Sequence, residues 1–204
     1  MDFHIDLAFL TALASPAPTP GGGSAAAYAG AMAAALVTMV AQTTLGKKKY
    51  ADIQTRMQQI ALDAGAARTE LEACVSLDAN AFDQLLAANR AAKETSDLAR
   101  VEQAKLHVTE VPLATAKTAL HVLELAVEVA AEGNINALSD ACAAASLANS
   151  TIFASLLNLK INAKSLDGNP SVSGLLAQAA EIEIQTQALM NQLPLIIQKR
   201  GDLG

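Results

Sequence analysis

The sequence predicts an all-α fold, a single-domain bundle of long, kinked helices. The chain has 204 residues, which suits one domain. It is 52% hydrophobic but only 3% aromatic, so most of its apolar side chains are Ala, Leu, Val and Ile. Helix-forming residues dominate, and apolar positions recur at helical spacing with no strand-like alternation. Because such small side chains bury little area each, we also expect the chain to associate as an oligomer.

A proline- and glycine-rich run separates the first two predicted helices. The first helix carries apolar residues at helical spacing: Phe3, Leu7, Leu10 and Leu13. The run Pro18-Thr19-Pro20-Gly21-Gly22-Gly23 then ends it, because proline lacks a backbone donor and consecutive glycines do not hold a regular element. The second helix is expected from Ser24, whose hydroxyl suits an N-cap, to Leu45, with Gly46 as its terminator.

One carboxylate interrupts the apolar seam of the third predicted helix. This helix is expected to start near Tyr50 and to end in the polar stretch 89–96. Its seam consists of Ile53, Met57, Ile60, Ala64, Ala67, Leu71, Cys74, Asp78, Phe82 and Leu85. A carboxylate there is costly unless it is hydrogen-bonded or lines a wet cavity, and desolvation raises its pKa toward the range of a general acid or base. Asp78 is therefore a candidate functional residue, unless the seam opens to solvent at that turn.

The second half of the chain predicts three further helices. The fourth covers 98–127, and Pro112 is expected to kink or split it. A stop at 132–136 precedes the fifth helix, expected from Leu138 to Lys164. The segment 167–170 has turn composition, and the last helix is expected to bend at Pro194.

Several polar groups outside the seam have both a structural and a functional interpretation. The glycine run at a helix start is either a plain loop with a capped helix or an anion site. The basic run Lys47-Lys48-Lys49 before Tyr50 is either a solvated helix end or an anion dock. The cluster of Asn134, Asn136, Ser139 and Asp140 suits turns and caps. At most two of Asn158, Lys160 and Asn162 point into one site, because alternate positions do not share a helix face.

Charge and composition exclude several classes of protein. The net charge is −6, and no basic stripe is interleaved with aromatic residues, so nucleic acid is not an expected partner. Cys74 and Cys142 form no CxxC pattern, and the three histidines are scattered, so neither a metal site nor a disulfide framework is expected. The first six residues lack the basic region of a signal peptide, and the Ala-rich stretch 25–41 falls short of a membrane span. We therefore expect a cytoplasmic protein that does not bind membranes.

Six motifs taken together resemble the cyclodeaminase/cyclohydrolase family. That family comprises the carboxy-terminal domain of formiminotransferase-cyclodeaminase and the stand-alone bacterial methenyltetrahydrofolate cyclohydrolases. The motifs are Pro18-Thr19-Pro20-Gly21-Gly22-Gly23-Ser24, Gly46-Lys47-Lys48-Lys49-Tyr50, Asp78-Ala79-Asn80-Ala81-Phe82, Pro112-Leu113, Glu132-Gly133-Asn134-Ile135-Asn136 with Ser139-Asp140, and Leu157-Asn158-Leu159-Lys160-Ile161-Asn162. Each motif alone is weak, but their order and spacing over nearly the whole chain are specific.

The resemblance implies a dimeric, all-helical enzyme that acts on a folate and uses no metal or redox cofactor. Asp78 and Asp140 fall on acidic positions of the family pattern and become the candidate catalytic residues. Asn134 and Asn136 are assigned to the pterin edges, and the glycine run and the three lysines to the glutamate carboxylates. The full set of candidate substrate-binding residues is Gly21, Gly22, Gly23, Ser24, Lys47, Lys48, Lys49, Tyr50, Asn134, Asn136, Ser139 and Asn158.

The family has two activities that act on the same carbon, the bridge between nitrogens 5 and 10 of tetrahydrofolate. A cyclohydrolase opens 5,10-methenyltetrahydrofolate to 10-formyltetrahydrofolate. A cyclodeaminase closes 5-formiminotetrahydrofolate to the methenyl form and releases ammonia. Because no formiminotransferase domain is present in the 204 residues, the cyclohydrolase is favoured. A non-catalytic folate-binding or scaffold protein is the remaining alternative.

Overall fold

The all-α prediction is confirmed in the part of the chain that the computed structural model describes, residues 7–166 and 168–201. Seven α-helices lie in those residues: α1 (Leu7–Leu13), α2 (Gly22–Thr44), α3 (Gln54–Thr95), α4 (Leu98–Glu132), α5 (Leu138–Ala163), α6 (Pro170–Met190) and α7 (Leu193–Gly201). Short 3₁₀ segments cover Lys48–Ile53, Ile135–Ala137 and Lys164–Leu166. The first six residues lie outside the described part of the chain. They include Phe3, His4 and the stretch that was compared with a signal peptide. Asp167 also lies outside it.

Helix α2 is the centre of the bundle and packs against α3, α4 and α5. Its Ala33, Ala34 and Val37 are fully buried. Gly30 lets α5 approach closely, because a Cβ there would lie 3.1 Å from the Thr151 methyl group. The Thr151 hydroxyl donates to the Ala26 carbonyl at 2.8 Å and ties α5 to the first half of α2. The small residues of the sequence thus serve close helix packing.

Two predicted helix boundaries are wrong. The N-cap of α2 is Gly21, whereas Ser24 lies in the first turn of the helix and uses its hydroxyl elsewhere. Helix α3 continues through the polar stretch 89–96 to Thr95 and ends only where Ser96 adopts a positive φ of 57°. That stretch contains no proline or glycine, and residues 90–94 are good helix formers, so helix propensity carries α3 through residues that are mostly exposed.

Helix α4 remains one helix across Pro112, so of the predicted kink or split the split does not occur. Proline has no N–H, and the carbonyl of Val108, four residues earlier, therefore loses its usual intrahelical donor. The side-chain amide of Asn162 donates to that carbonyl at 2.8 Å. Asn162 on α5 thus replaces the missing donor and joins α4 to α5.

The turn and the helices after residue 167 largely match their predicted positions. Gly168 has a positive φ of 83°, and the Asn169 side chain caps α6 by accepting from the Ser171 N–H at 2.9 Å. The predicted bend at Pro194 is a break between two helices. Helix α6 ends at Met190, and α7 begins at Leu193, so the proline is the second residue of α7.

Among the described residues, two helical segments are long and apolar enough, by length and composition, to cross a membrane, which corrects the expectation that 25–41 falls short. They are Gly22–Thr44, with a mean hydropathy of 1.6, and Ile135–Leu166, with 1.3. The most apolar windows of the two segments are 56% and 44% buried inside the fold. Both segments belong to helices that pack on each other in the core, a position that also favours small apolar residues.

Candidate functional site

Asp78 belongs to α3, and its side chain lies against the first turn of α2, where the seam of α3 meets the glycine run. Its Oδ2 accepts a hydrogen bond from the Ser24 hydroxyl at 3.1 Å, and the Ser24 backbone N–H is a second donor. Gly23 makes room for the carboxylate, because a Cβ at this position would lie 2.1 Å from Asp78 Oδ1. The glycine run, Ser24 and Asp78 therefore form one cluster, which we call the Asp78 cluster.

Burial raises the pKa of the Asp78 carboxyl above its ordinary value of 3.8, and the two hydrogen bonds from Ser24 oppose that rise. The side chain is half-buried, so water reaches it. A carboxyl group with a raised pKa that still contacts solvent keeps its proton to higher pH than an ordinary aspartate, a property that suits a general acid or base. The raised pKa agrees with the desolvation that the interrupted seam predicts, and the acid–base role of Asp78 stays a prediction.

The raised pKa predicts how stability depends on pH. A raised folded-state pKa contributes stability below about pH 4, and this contribution is lost as the pH rises through the folded-state value. Asparagine does not titrate, so the stability of Asp78→Asn relative to the natural protein is expected to increase between pH 4 and pH 8. Urea unfolding across that range measures the difference, and Asp83→Asn, an exposed carboxylate on the same helix, is the control. A difference that stays constant or decreases would contradict the raised pKa.

The carboxylate at the start of α2 is Asp78, a side chain of the protein itself. The Ser24 N–H, one of the free donors at the helix start, is bonded to Asp78. Gly22 is different, because a Cβ added to it meets nothing within 4 Å. The assignment of the glycine run to a substrate carboxylate stays a prediction, and it concerns the open side of the loop at Gly22.

The second cluster is the turn 133–137 that joins α4 to α5. Asn134 is buried, and its backbone N–H donates to Thr44 Oγ1 at 2.8 Å. Its side-chain amide donates to the Thr43 carbonyl at 3.3 Å, while its Oδ1 accepts from the Asn136 N–H at 3.2 Å. Asn134 therefore caps and anchors the turn, as its residue type predicts. Both hydrogen bonds of the Asn134 side chain are made to other groups of the protein.

Tyr50 and the three lysines lie at this same end of the bundle. The buried Tyr50 hydroxyl accepts from the Ile135 N–H at 3.0 Å, so the tyrosine also anchors the turn. The side chains of Lys47, Lys48 and Lys49 are exposed, and Lys49 Nζ lies 5.6 Å from the Tyr50 ring centroid. The lysines thus add positive charge beside the turn.

The turn presents three polar side chains toward solvent. Asn136 and Ser139 are exposed, and Asp140 is half-buried in the first turn of α5. A cavity of about 400 Å³ adjoins Asn136 and Ser139. It is lined by Ile135, Asn136, Leu138, Ser139, Cys142, Ile197, Arg200 and Gly201. The turn, the adjacent Ser139 and Asp140, and this cavity form what we call the Asp140 cluster.

The two clusters lie at opposite ends of α2. Ser24 contacts Asp78, and Thr44, 20 residues later, contacts Asn134. At 1.5 Å per residue this separates the two contacts by roughly 30 Å along the helix. Asn158 lies on α5 beyond Thr151, toward the Asp78 end, and is half-buried. The candidate residues therefore do not form a single site within one chain.

Sequence reasoning did not find Arg200. Its guanidinium donates to the carbonyls of Ala130 and Gly133, so it closes the end of α4 beside the turn. No pattern in the sequence distinguishes Arg200 from the adjacent Lys199. Among the described residues, no group of three or more His, Cys, Asp or Glu side chains is arranged to hold a metal ion.

Comparisons with known proteins agree on one family. The model of the formiminotransferase-cyclodeaminase family matches residues 7–181. A methenyltetrahydrofolate cyclohydrolase of Methylorubrum extorquens is 39% identical over 186 residues, which cover 85% of this chain and 89% of that protein. The formimidoyltransferase-cyclodeaminase of Rattus norvegicus is 30% identical over 78% of this chain, but the match spans only 30% of the rat protein.

A solved structure is similar over almost its whole length. The formiminotetrahydrofolate cyclodeaminase of Thermotoga maritima matches with a TM-score of 0.88 and 27% sequence identity. The match covers 96% of this chain and 97% of that chain. A cyclodeaminase chain of this size therefore exists, and the length of the sequence does not discriminate between the two activities.

Proposed function

This chain belongs to the formiminotransferase-cyclodeaminase family, and from that membership we propose that it is a methenyltetrahydrofolate cyclohydrolase. The observation that carries the proposal is the 39% identity to a protein of that name over 89% of its length. The half-buried Asp78 supplies a group suited to the hydrolysis, since its pKa is raised by burial.

In the proposed reaction, water attacks the carbon that bridges nitrogens 5 and 10 of the methenyl substrate. A carboxylate removes a proton from the water as the new C–O bond forms, which gives a neutral tetrahedral hydroxy adduct. The bond from that carbon to nitrogen 5 then breaks and nitrogen 5 receives this proton, while the hydroxyl of the adduct loses its own proton to the carboxylate, and from there to solvent, as the carbonyl forms. The formyl group remains on nitrogen 10, and one proton is released overall. We assign the proton transfers to Asp78, and the stabilisation of the cationic substrate to Asp140.

The cyclodeaminase activity is the second candidate, and the similarity to the Thermotoga maritima cyclodeaminase favours it. The two reactions share the bridging carbon and a tetrahedral intermediate, so the same carboxylates suit both. They differ in direction and in the group that leaves. A cyclohydrolase consumes the methenyl compound, whereas a cyclodeaminase produces it and releases ammonia.

One assay separates the candidates. The purified chain is mixed in turn with 5,10-methenyltetrahydrofolate and with 5-formiminotetrahydrofolate, while methenyl absorbance and ammonia are followed. Loss of the methenyl compound, faster than in buffer and without ammonia, is the expected result. Formation of the methenyl compound with ammonia would identify a cyclodeaminase. Folate binding without either reaction would identify a binding protein.

We also propose that the enzyme is a homodimer formed through an uncharged face of α2. Helix α2 contains no Asp, Glu, Lys or Arg. An apolar stripe of exposed or half-buried residues runs along one side of the helix and consists of Ala25, Tyr28, Ala29, Met32, Leu36 and Met39. Tyr28 and Met32 are 38% and 44% exposed. A continuous apolar stripe on a helix of this length is a feature of subunit interfaces.

The separation of the two clusters supports the same assembly. A two-fold axis perpendicular to α2 near its midpoint sets the helix antiparallel to its partner copy. The start of one α2 then lies near the end of the other. Such a dimer brings the Asp78 cluster of one subunit to the Asp140 cluster of its partner, twice per dimer. Each proposed active site then contains both carboxylates.

Mixed dimers test this arrangement. Asp78→Asn and Asp140→Asn are each expected to be inactive as pure dimers. Unfolded together and refolded at a 1:1 ratio, half of the dimers carry one of each variant and one intact site, so about a quarter of the natural activity should return. No recovery in verified mixed dimers would contradict a site shared between subunits, as would natural activity in pure Asp140→Asn.

The remaining assignments follow from the proposed chemistry. Water addition and proton transfer need no redox group, so we propose no cofactor beyond the folate substrate. The net charge of −6 and the uncharged stripe favour neither nucleic acid nor an anionic membrane as partner. We propose that the enzyme works in the cytoplasm.

A further inference from the structure

Helix α7 lies outside the segment 7–181 that matches the family model, yet it contacts the Asp140 cluster. Arg200, in its last turn, reaches across to the end of α4. The guanidinium donates to the carbonyl oxygens of Ala130 and Gly133, at 2.7 Å for the second. Arg200 is the cationic side chain among the residues that line the adjoining cavity.

The two carbonyls lie on either side of the point where α4 becomes the turn. Carbonyls at a helix end have no intrahelical donor, so the arginine satisfies groups that are otherwise left to solvent. Gly133 cannot be replaced by a longer residue that would fill the space, because a Cβ there would lie 2.6 Å from the Val129 carbonyl oxygen. The side chain that donates to both carbonyls at this corner comes from another helix, α7.

The rest of the turn is fixed by side chains from the opposite direction. Thr44 on α2 accepts from the Asn134 N–H, and Tyr50 accepts from the Ile135 N–H. These two residues hold the turn from the α2 side, and Arg200 holds it from the α7 side. The polar side chains of Asn136, Ser139 and Asp140 follow within seven residues of Gly133. Their positions thus depend on the orientation of this turn.

We propose that Arg200 is a positioning residue for the proposed reaction. It sets the orientation of the 133–137 turn, and through the turn it sets Asn136, Ser139 and Asp140 against the substrate. This inference rests on the proposed function, because that function makes the turn part of an active site. The hydrogen bonds of Arg200 are observed whether or not that function is correct. The planar guanidinium bridges two carbonyls at once, which the single ammonium group of a lysine does not reproduce with the same geometry.

The test compares Arg200→Met and Arg200→Lys with the adjacent control Lys199→Met. Lys199 is exposed and makes no hydrogen bond or ion pair to the described residues. Steady-state kinetics are measured well below the melting temperature of each variant. We expect Arg200→Met to lower kcat by roughly 10- to 100-fold, because a displacement of about 1 Å in a site costs up to that much. Arg200→Lys should recover only a small part, and Lys199→Met should match the natural enzyme.

Amide hydrogen exchange supplies a second readout that does not need turnover. Exchange in residues 134–137 should accelerate in both Arg200 variants and stay unchanged in Lys199→Met, while exchange in the middle of α4 is preserved. A folded Arg200→Met with natural kcat and KM overturns the proposal, even if its melting temperature falls, since that result describes a helix cap alone. If the natural chain has no activity toward either folate, the proposed function fails, and the exchange data alone then decide whether Arg200 fixes the turn.

Discussion

Replacing Asp78 with asparagine is expected to lower kcat for methenyltetrahydrofolate hydrolysis by about 10²- to 10⁴-fold, the usual contribution of a positioned acid–base group. The reason is local. Asparagine keeps an oxygen that accepts from the Ser24 hydroxyl and N–H, so the first turn of α2 stays as it is. It cannot take a proton from water. The loss should therefore appear in kcat, with the fold intact by circular dichroism.

Two companion variants separate proton transfer from other effects of the substitution. Asp83→Asn removes an exposed carboxylate five residues further along α3. This carboxylate accepts a hydrogen bond from the Thr19 hydroxyl at 3.3 Å. The variant should retain near-natural kcat. Ser24→Ala removes one hydrogen bond that favours the ionised form of Asp78 and should shift the acidic limb of the pH–rate profile to higher pH. Natural turnover in Asp78→Asn would remove Asp78 from the mechanism.

The sequence predicts the position of Asp78 because the seam of α3 is long and regular. Met57, Ile60 and Leu71 are all buried at the predicted steps, so the periodicity places Asp78 against the core without any knowledge of its neighbours. The partner of Asp78 is not predicted in the same way. Ser24 lies 54 residues earlier and its type suggested an N-cap, whereas the structure uses its hydroxyl for the carboxylate. Local residue preference cannot report a contact between distant segments.

The errors at the two helices have different origins. The polar stretch 89–96 looks like a loop, but its residues include several good helix formers and none that breaks a helix, so α3 continues through a mostly exposed segment. Pro112 favours a kink or a split of α4, and the Asn162 amide supplies the donor that proline lacks, so the helix continues. A tertiary contact of this kind is not visible in a window of neighbouring residues.

The sequence proposes the residues of the candidate site but not their arrangement. The motifs identified the glycine run, Asp78 and the 134–140 segment, and they gave their order along the chain. They gave no distances, and the structure separates the contacts at Ser24 and Thr44 by roughly the length of α2. Arg200 lay outside every motif. Residue types that also serve as caps and turns, such as Asn134, gain a defined role only when their hydrogen bonds are known.

Gly23→Ala is expected to be nearly as damaging as the loss of the carboxylate itself. The new Cβ would lie 2.1 Å from Asp78 Oδ1 and 2.5 Å from its Cγ, distances that no side chain tolerates. Asp78 is short and held by Ser24, so the carboxylate must leave its two donors or the first turn of α2 must move. Either change displaces the proposed base by about 1 Å or more, and kcat should fall roughly 100-fold.

A matched control is available on the same pair of helices. Gly65 lies inside α3 with nothing within 4 Å of an added Cβ, so Gly65→Ala should keep natural activity and gain up to about 1 kcal/mol of stability from helix propensity. The cause of the Gly23→Ala defect is tested by a double-mutant cycle on the free energy of unfolding. Removing the carboxylate with Asp78→Ala should make Gly23→Ala almost neutral, because the clash then has no partner. If Gly23→Ala destabilises both backgrounds equally, the glycine serves the loop alone, and its proximity to Asp78 has no part in the site.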